Sequence, residues 1–235
     1  MSRESLWNGI VMENPSRLFR LGTDSVVLAD FVNVKPGSKI CDLGCGSGAI
    51  SLMLLAKDRS LFLTGVELQE DLCRVAEENA RINTLVDHFA VFSGDLREIR
   101  DLLPAGSFGC VVANPPYFPA ANPAPQENTL ALSRSEKTCT PEDLCRAAAW
   151  LLPTGGSFFL VHRPERLADL IFALRQSGLE PKRLQFVRHS TATKRSLLLL
   201  EAVRGGKPHL QLEEDLVLYH PDGSQTEACR RIYHR

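Results

Sequence analysis

Apolar positions along this chain fall in short runs that switch between a strand-like and a helical period. Lys39 opens an apolar run to Leu43, Gly44 to Gly48 is glycine-rich, and Ala49 to Ala56 consists of strong helix formers. This predicts strand, tight loop, helix. Leu61 to Val66 predicts a second strand ending at Glu67, and Glu70 to Asn83 places Leu72, Val75, Ala76, Ala80 and Ile82 at helical spacings. Phe89 to Phe92 predicts a third strand, leading to Asp95. The fourth, Cys110 to Ala113, runs into Asn114-Pro115-Pro116-Tyr117, where proline must end the pairing because it has no N–H to give.

After a polar, proline-bearing loop from Phe118 to Lys137, Thr140-Pro141-Glu142-Asp143 reads as a helix start. Thr140 can cap, Pro141 suits the first turn, and Asp143 favours its positive end. That helix should end near Pro153, and Gly155-Gly156 turns into a fifth strand, Ser157 to Val161. Pro164 to Gln176, stopped by Gly178, predicts the next helix. Arg183 to Arg188 and Ser196 to Val203 are joined by about seven residues, so an antiparallel pair is expected. Alternating strands and helices predict an α/β sheet with helices on both faces. Residues 1–38 precede it as an arm, with Thr23 expected to cap a short helix through Phe31. Residues 39–206 form the main domain, and 207–235 extend it with one more strand, Leu216 to Tyr219.

Composition narrows the class. With 44% hydrophobic and 23% charged residues, the 235-residue chain is globular in character, which argues against disorder and against a disulfide-stapled miniprotein. No apolar run approaches the ~20 residues of a spanning helix, and no apolar leader opens the sequence, so the expectation is a cytoplasmic protein away from membranes. Seven cysteines without a C-x-x-C pair predict reduced, mostly buried thiols and no zinc site. The histidines at 88, 162, 189, 209, 220 and 234 make no ligand-like cluster and read as surface or supporting groups, so no metal is expected. The net charge of -1 hides an asymmetry: Pro181 to Leu210 carries seven basic residues against Glu201 alone. Such a block suits a polyanion or a solvated face.

The loop Asp42-Leu43-Gly44-Cys45-Gly46-Ser47-Gly48 follows a buried-type strand, and its glycines let the backbone approach a ligand where a Cβ would clash. The spacing is G-x-G-x-G, not G-x-G-x-x-G, and no Gly-Lys-Ser/Thr follows, so a P-loop is excluded. Glu67, ending the next strand, can accept the hydroxyls of a ribose. Asn114-Pro115-Pro116-Tyr117 is stiff, because both prolines fix φ and Asn114 is pushed extended by the proline after it. The loop can present the Asn114 side-chain oxygen and the Pro115 carbonyl to the two hydrogens of a planar amine. A conjugated amine is a poor nucleophile, and two acceptors draw its nitrogen toward tetrahedral geometry, which is catalysis by positioning and electrostatics. Tyr117 offers a ring for stacking.

Together these residues resemble the S-adenosylmethionine-dependent methyltransferases with a seven-stranded, Rossmann-like sheet whose last strand is antiparallel. The resemblance implies that Asp42 with Gly44, Gly46 and Gly48 holds the methionine end of the cofactor, Glu67 the ribose, and Asp95 with Leu96 the adenine. Asn114 to Tyr117 resembles the motif of amino-methyltransferases acting on adenine N6, guanine N2 or the glutamine amide. Further features are similar to the bacterial tRNA adenine-N6 methyltransferases of the valine-tRNA type. They are Phe19 to Asp24, with Thr23 and Asp24 near the methionine end; Phe118 after the tetrapeptide; Arg134-Ser135-Glu136; and Val161 to Leu167. The resemblance implies transfer of methyl to adenine N6 in a tRNA anticodon loop, with phosphates met by Arg188, Lys194 and Arg195. Arg134 and Glu136 bind RNA or pair with each other. The alternatives are N5-methylation of a protein glutamine, for which the 39 residues before Ile40 leave no room for a helical recognition domain, and guanine-N2 methylation of rRNA. No obligate protein partner is evident.

Overall fold

The computed structural model describes residues 2–14, 21–115 and 139–233. Its first half comprises β1 (Ser2–Ser5), β2 (Val11–Asn14), α1 (Thr23–Phe31), β3 (Lys39–Leu43), α2 (Ala49–Lys57), β4 (Phe62–Glu67), α3 (Glu70–Ile82), β5 (Phe89–Ser93), α4 (Ile99–Leu102) and β6 (Cys110–Ala113). Then come α5 (Pro141–Leu151), β7 (Ser157–His162), α6 (Leu167–Gln176), β8 (Leu179–Ser190), β9 (Arg195–Arg204), β10 (Gln211–Leu212), β11 (Leu216–Tyr219) and α7 (Glu227–Tyr233).

The main sheet runs β5-β4-β3-β6-β7-β9-β8. β3 pairs in parallel with β4 on one side and β6 on the other, so strand order reverses at β3. A crevice opens at the carboxyl ends of strands flanking such a switch point. β9 is antiparallel to both β7 and β8, as the short connection predicted. The seven expected strands are widened to nine among the described residues, because β10 and β11 pair in parallel with β8.

β7 and β9 are apolar without alternation because both their faces are covered. Phe159, Val161 and Leu199 pack with Leu28, Leu52 and Ile232 from α1, α2 and α7. Phe158, Leu160 and Leu198 pack with Ile99, Leu144 and Leu170 from α4, α5 and α6. Truncating a phenylalanine there to alanine would cost ~3–5 kcal/mol. At the start of α5, Thr140 Oγ1 accepts from Asp143 N–H at 3.2 Å and Asp143 accepts from Thr140 N–H at 3.0 Å, a reciprocal cap worth about 1 kcal/mol.

Three local expectations change. The cap of α1 is Gly22, not Thr23, because the Asp24 carboxylate folds back to accept Ser25 N–H at 2.8 Å over the side of Gly22 that lacks a side chain. Pro164–Arg166 forms a 3-10 turn ahead of α6 and not its first α turn. His162 is neither superficial nor a supporting group beside the crevice. It is fully buried at the end of β7, and burial pushes its pKa down to about 4, so it is a neutral core residue.

The arm contains a β1–β2 hairpin seated on α3. Val11 N–H donates to Asn83 Oδ1 at 2.8 Å, and Asn83 Nδ2 donates back to Val11 O at 2.6 Å. Glu13 N–H donates to Asn79 Oδ1 at 2.7 Å, while Asn79 Nδ2 donates to Glu13 O at 3.1 Å and Ser47 O at 3.0 Å. One asparagine thus joins arm, helix and glycine loop.

Candidate active site

The loop after β3 turns because its three glycines take positive φ: 73° at Gly44, 56° at Gly46 and 85° at Gly48. Their reasons differ. A Cβ at Gly44 or Gly46 would meet nothing within 4 Å, whereas one at Gly48 would lie 2.7 Å from Phe89. Gly44 and Gly46 therefore border open space, and Gly48 lets α2 pack close. The turn is tied to the next strand by Gly44 N–H and Cys45 N–H, both donating to Val66 O at 2.8 and 3.2 Å. Gly65 makes room for Cys45, since a Cβ there would lie 2.5 Å from its sulfur.

Two carboxylates flank this loop in different states. Glu67 accepts Gly46 N–H with Oε2 and Gln69 N–H with Oε1, both at 2.9 Å. Asp42 is 1% exposed, and its Oδ2 accepts from Ser51 Oγ at 2.8 Å. Its Oδ1 is buried with no partner among the described residues. Desolvation raises the Asp42 pKa to about 7. The orphaned oxygen is a place for a cation or an amine hydrogen, because an unmet buried acceptor is costly.

At the end of β5, Asp95 accepts Arg97 N–H at 2.9 Å and caps a short 3-10 turn containing Leu96. The Arg97 guanidinium beside it holds its carboxyl below the usual range. At the end of β6, Asn114 Nδ2 donates to Ser25 Oγ at 3.0 Å, joining the catalytic-loop candidate to the first turn of α1. The Asn114 amide oxygen is then the atom left to accept from a substrate. Thr23 is exposed beside this contact, and its Oγ1 meets Tyr233 Oη at 3.3 Å. Burial pushes the thiols of Cys41, Cys45 and Cys110 up, which makes none of them a ready thiolate nucleophile.

The fold thus gathers Asp42, Gly44, Gly46, Gly48, Glu67, Asp95, Leu96 and Asn114 at the carboxyl ends of β3, β4, β5 and β6, with Thr23 and Asp24 linked in through Ser25. Pro115 is described and buried. Pro116, Tyr117, Phe118 and Arg134 lie outside the described residues. Arg188 and Arg195 are both ion-paired with Asp215, at 3.6 and 3.0 Å, while Lys194 is exposed in the β8–β9 turn. The pairing of His162 with Leu198 puts that turn at the same edge of the sheet as Asn114. Ser25, Ser51, Gly65 and Asn79 were not singled out from the sequence. Gly65 inside a strand and Ser51 among buried helix residues are readable signals, since each breaks its local pattern; Asn79 gives none.

Residues 20–172 match the family model described as the methyltransferase small domain. The tRNA1(Val) (adenine(37)-N6)-methyltransferase of Parabacteroides distasonis is 30% identical over 201 residues, spanning 83% of this chain and 83% of its own. The chain belongs to this methyltransferase family. Another methyltransferase of the same name, from Actinobacillus pleuropneumoniae, is 28% identical over 91% of this chain and 88% of its own. A solved structure of a predicted O-methyltransferase from Agrobacterium tumefaciens superposes with a TM-score of 0.75 at 20% identity, covering 90% of this chain and 96% of that one, which shows the shared fold. This methyltransferase is S-adenosylmethionine-dependent, as its family and fold are. The open side of Gly44 and Gly46 and the orphaned Asp42 oxygen fit a cofactor with a cationic amino-acid end.

Proposed function

We propose that this enzyme methylates the exocyclic N6 amine of an adenine in a tRNA anticodon loop, the reaction stated in the names of its relatives. S-adenosylmethionine supplies the electrophilic methyl. In this reading Gly44, Gly46, Gly48 and Asp42 hold its methionine end, aided by Thr23 and Asp24, with Glu67 at the ribose and Asp95 and Leu96 at the adenine. The observation that carries the amine chemistry is the Asn114–Ser25 hydrogen bond of 3.0 Å, which uses the Asn114 amide nitrogen and leaves the oxygen to accept an amine hydrogen. With the Pro115 carbonyl as the second acceptor, the nitrogen lone pair is aimed at the methyl group. Preorganised acceptors of this kind act without reorganisation at the moment of transfer. Pro116 stiffens the loop, Tyr117 and Phe118 stack on the base, and Arg134 contacts RNA beside it. An unpaired loop base enters such a pocket at little unstacking cost.

The first 38 residues serve as an arm over the cofactor pocket, supported by the Asn79 bonds to Glu13 and Ser47. Residues 39–206 carry the methyltransferase domain, and 207–235 extend it through β10, β11 and α7. No helix among the described residues is long and apolar enough to cross a membrane, and a tRNA substrate places the enzyme in the cytoplasm. Mass spectrometry of tRNA nucleosides from cells with and without the gene tests the reading. Loss of N6-methyladenosine is expected; loss of N2-methylguanosine, or of glutamine methylation in a release factor, would replace it.

A further inference from the structure

Most arginines in the described residues are paired with a carboxylate; Arg100 and Arg204 are not, and they meet at one cavity. The cavity, of about 200 Å³, is lined by Arg100, Arg146, Ala149, Trp150, Ser177 and Arg204. No carboxylate lines it. Its walls are held from behind. Trp150 Nε1 donates to Leu103 O at 2.9 Å, Arg204 Nη1 donates to Leu152 O at 2.7 Å, and the Arg100 guanidinium lies 4.9 Å from the Trp150 ring centre. Arg146 is steadied by Asp143 one turn earlier on α5.

Three guanidinium groups with spare donors, a hydroxyl and an indole wall suit a phosphate that brings a sugar or base with it. A lone monovalent anion would leave most of those donors unused. The location indicates the source of the phosphate. α5 starts beside Asp95, where Arg97 and Asp143 influence each other, and its eleven residues carry the chain about 16 Å, at 1.5 Å per residue, toward the opposite edge of the sheet. The cavity sits at the far end of α5, so a small substrate held at Asn114 cannot reach it, and a folded RNA can.

We propose that this cavity is a phosphate-binding anchor for the backbone of the substrate RNA, one helix length from the reacting base. The proposal rests on the tRNA reading above. It assigns RNA affinity to the α4–α5 face, apart from the basic block between Pro181 and Leu210, whose arginines are engaged elsewhere.

The test is the double variant Arg100→Ala/Arg146→Ala, both at exposed positions, which leaves the Arg204 contact with Leu152 intact. With a valine-tRNA transcript, KM should rise about tenfold, and the slope of log affinity against log salt should fall by roughly 1.4, at ~0.7 per lost phosphate contact. Turnover at saturating RNA and S-adenosylmethionine affinity should match wild type, and an unchanged melting temperature shows that the fold is intact. An unchanged KM and slope in the double variant, beside active wild type, would overturn the anchor and leave the tRNA reading standing. Binding of inorganic pyrophosphate to wild type but not to the variant, with RNA binding unaltered, would make the cavity a small-anion site and also overturn it. Absence of tRNA methylation by wild type would be a failure of the tRNA reading itself.

Discussion

Two regions at the same edge of the sheet use charge in opposite ways. At the ends of β3, β4 and β6, polar groups are positioned with something left over: Asp42 keeps an unmet oxygen, and Asn114 spends its nitrogen on Ser25 and keeps its oxygen. In the β8–β9 hairpin the charges are consumed. Arg183 pairs with Glu201 at 2.8 Å and Glu213 at 3.4 Å, Arg188 and Arg195 share Asp215, and Arg188 also donates to the carbonyls of Thr191 and Thr193. A functional group is available chemistry only when the fold leaves part of its bonding capacity unmet, and net charge in a segment does not report this.

The sharpest way to break the comparison is at Asn114. Asn114→Ala should lower turnover by about 100-fold or more, the scale of losing one preorganised group at a reacting centre, with cofactor affinity nearly unchanged. Single-turnover methylation and calorimetry read the two effects separately, and wild-type turnover would remove Asn114 from the chemistry.

Glu67→Ala should act on the other quantity, weakening S-adenosylmethionine binding by ~1.5–3 kcal/mol, the range for hydrogen bonds to a charged acceptor. The same carboxylate accepts Gly46 N–H, so some of this loss will be loop order and not ribose contact. Undiminished affinity by titration would place the ribose elsewhere.

Asp42 sharpens the comparison through pH. Its pKa is raised by burial from 3.8 to about 7, so between those values the folded state binds a proton that the unfolded state does not. This contribution to stability is full below about pH 4 and is lost as pH rises toward 7. A cation against the free oxygen favours the ionised form, so cofactor affinity should fall as pH drops below 7, by at most about tenfold per pH unit, with up to one proton released on binding. Asp42→Asn should flatten both profiles. A pH-independent affinity in wild type would mean that the carboxyl stays neutral with cofactor bound.

The smallest effect belongs to the hairpin. Replacing Arg188, Lys194 and Arg195 by glutamine should change the salt slope of tRNA binding by about 0.7, one contact from Lys194, and not by the two units that three free cations would give. Filter retention across low and moderate salt decides between these values, and a change near two would show that the Asp215 pairs open on RNA.

The sheet was legible because its determinants are local. Strand ends at Leu43, Glu67 and Ala113 follow from glycine or proline directly after an apolar run, and α5 announces itself through Thr140 and Asp143. The covering strands β10 and β11 were harder to place, since a two-residue pairing and a tail strand carry no mark of which edge they join. The cofactor-side residues were legible as types at spacings. Their partners were not: Ser25 and Asn114 are 89 residues apart, and no periodicity links them. The fate of the basic block was invisible for the same reason, because Asp215 lies outside the segment whose charge was counted.

The arm's attachment to α3 also sets a schedule for synthesis. Val11 must wait for Asn83, 72 residues later in the chain, before its backbone is satisfied. At a synthesis rate of ~5–20 residues per second, that interval is about 4–14 s. A two-stranded ribbon is marginal alone in water. The N-terminal segment therefore leaves the ribosome as an open ribbon and closes only after β3, α2, β4 and α3 exist, so the glycine loop is built before its cover arrives.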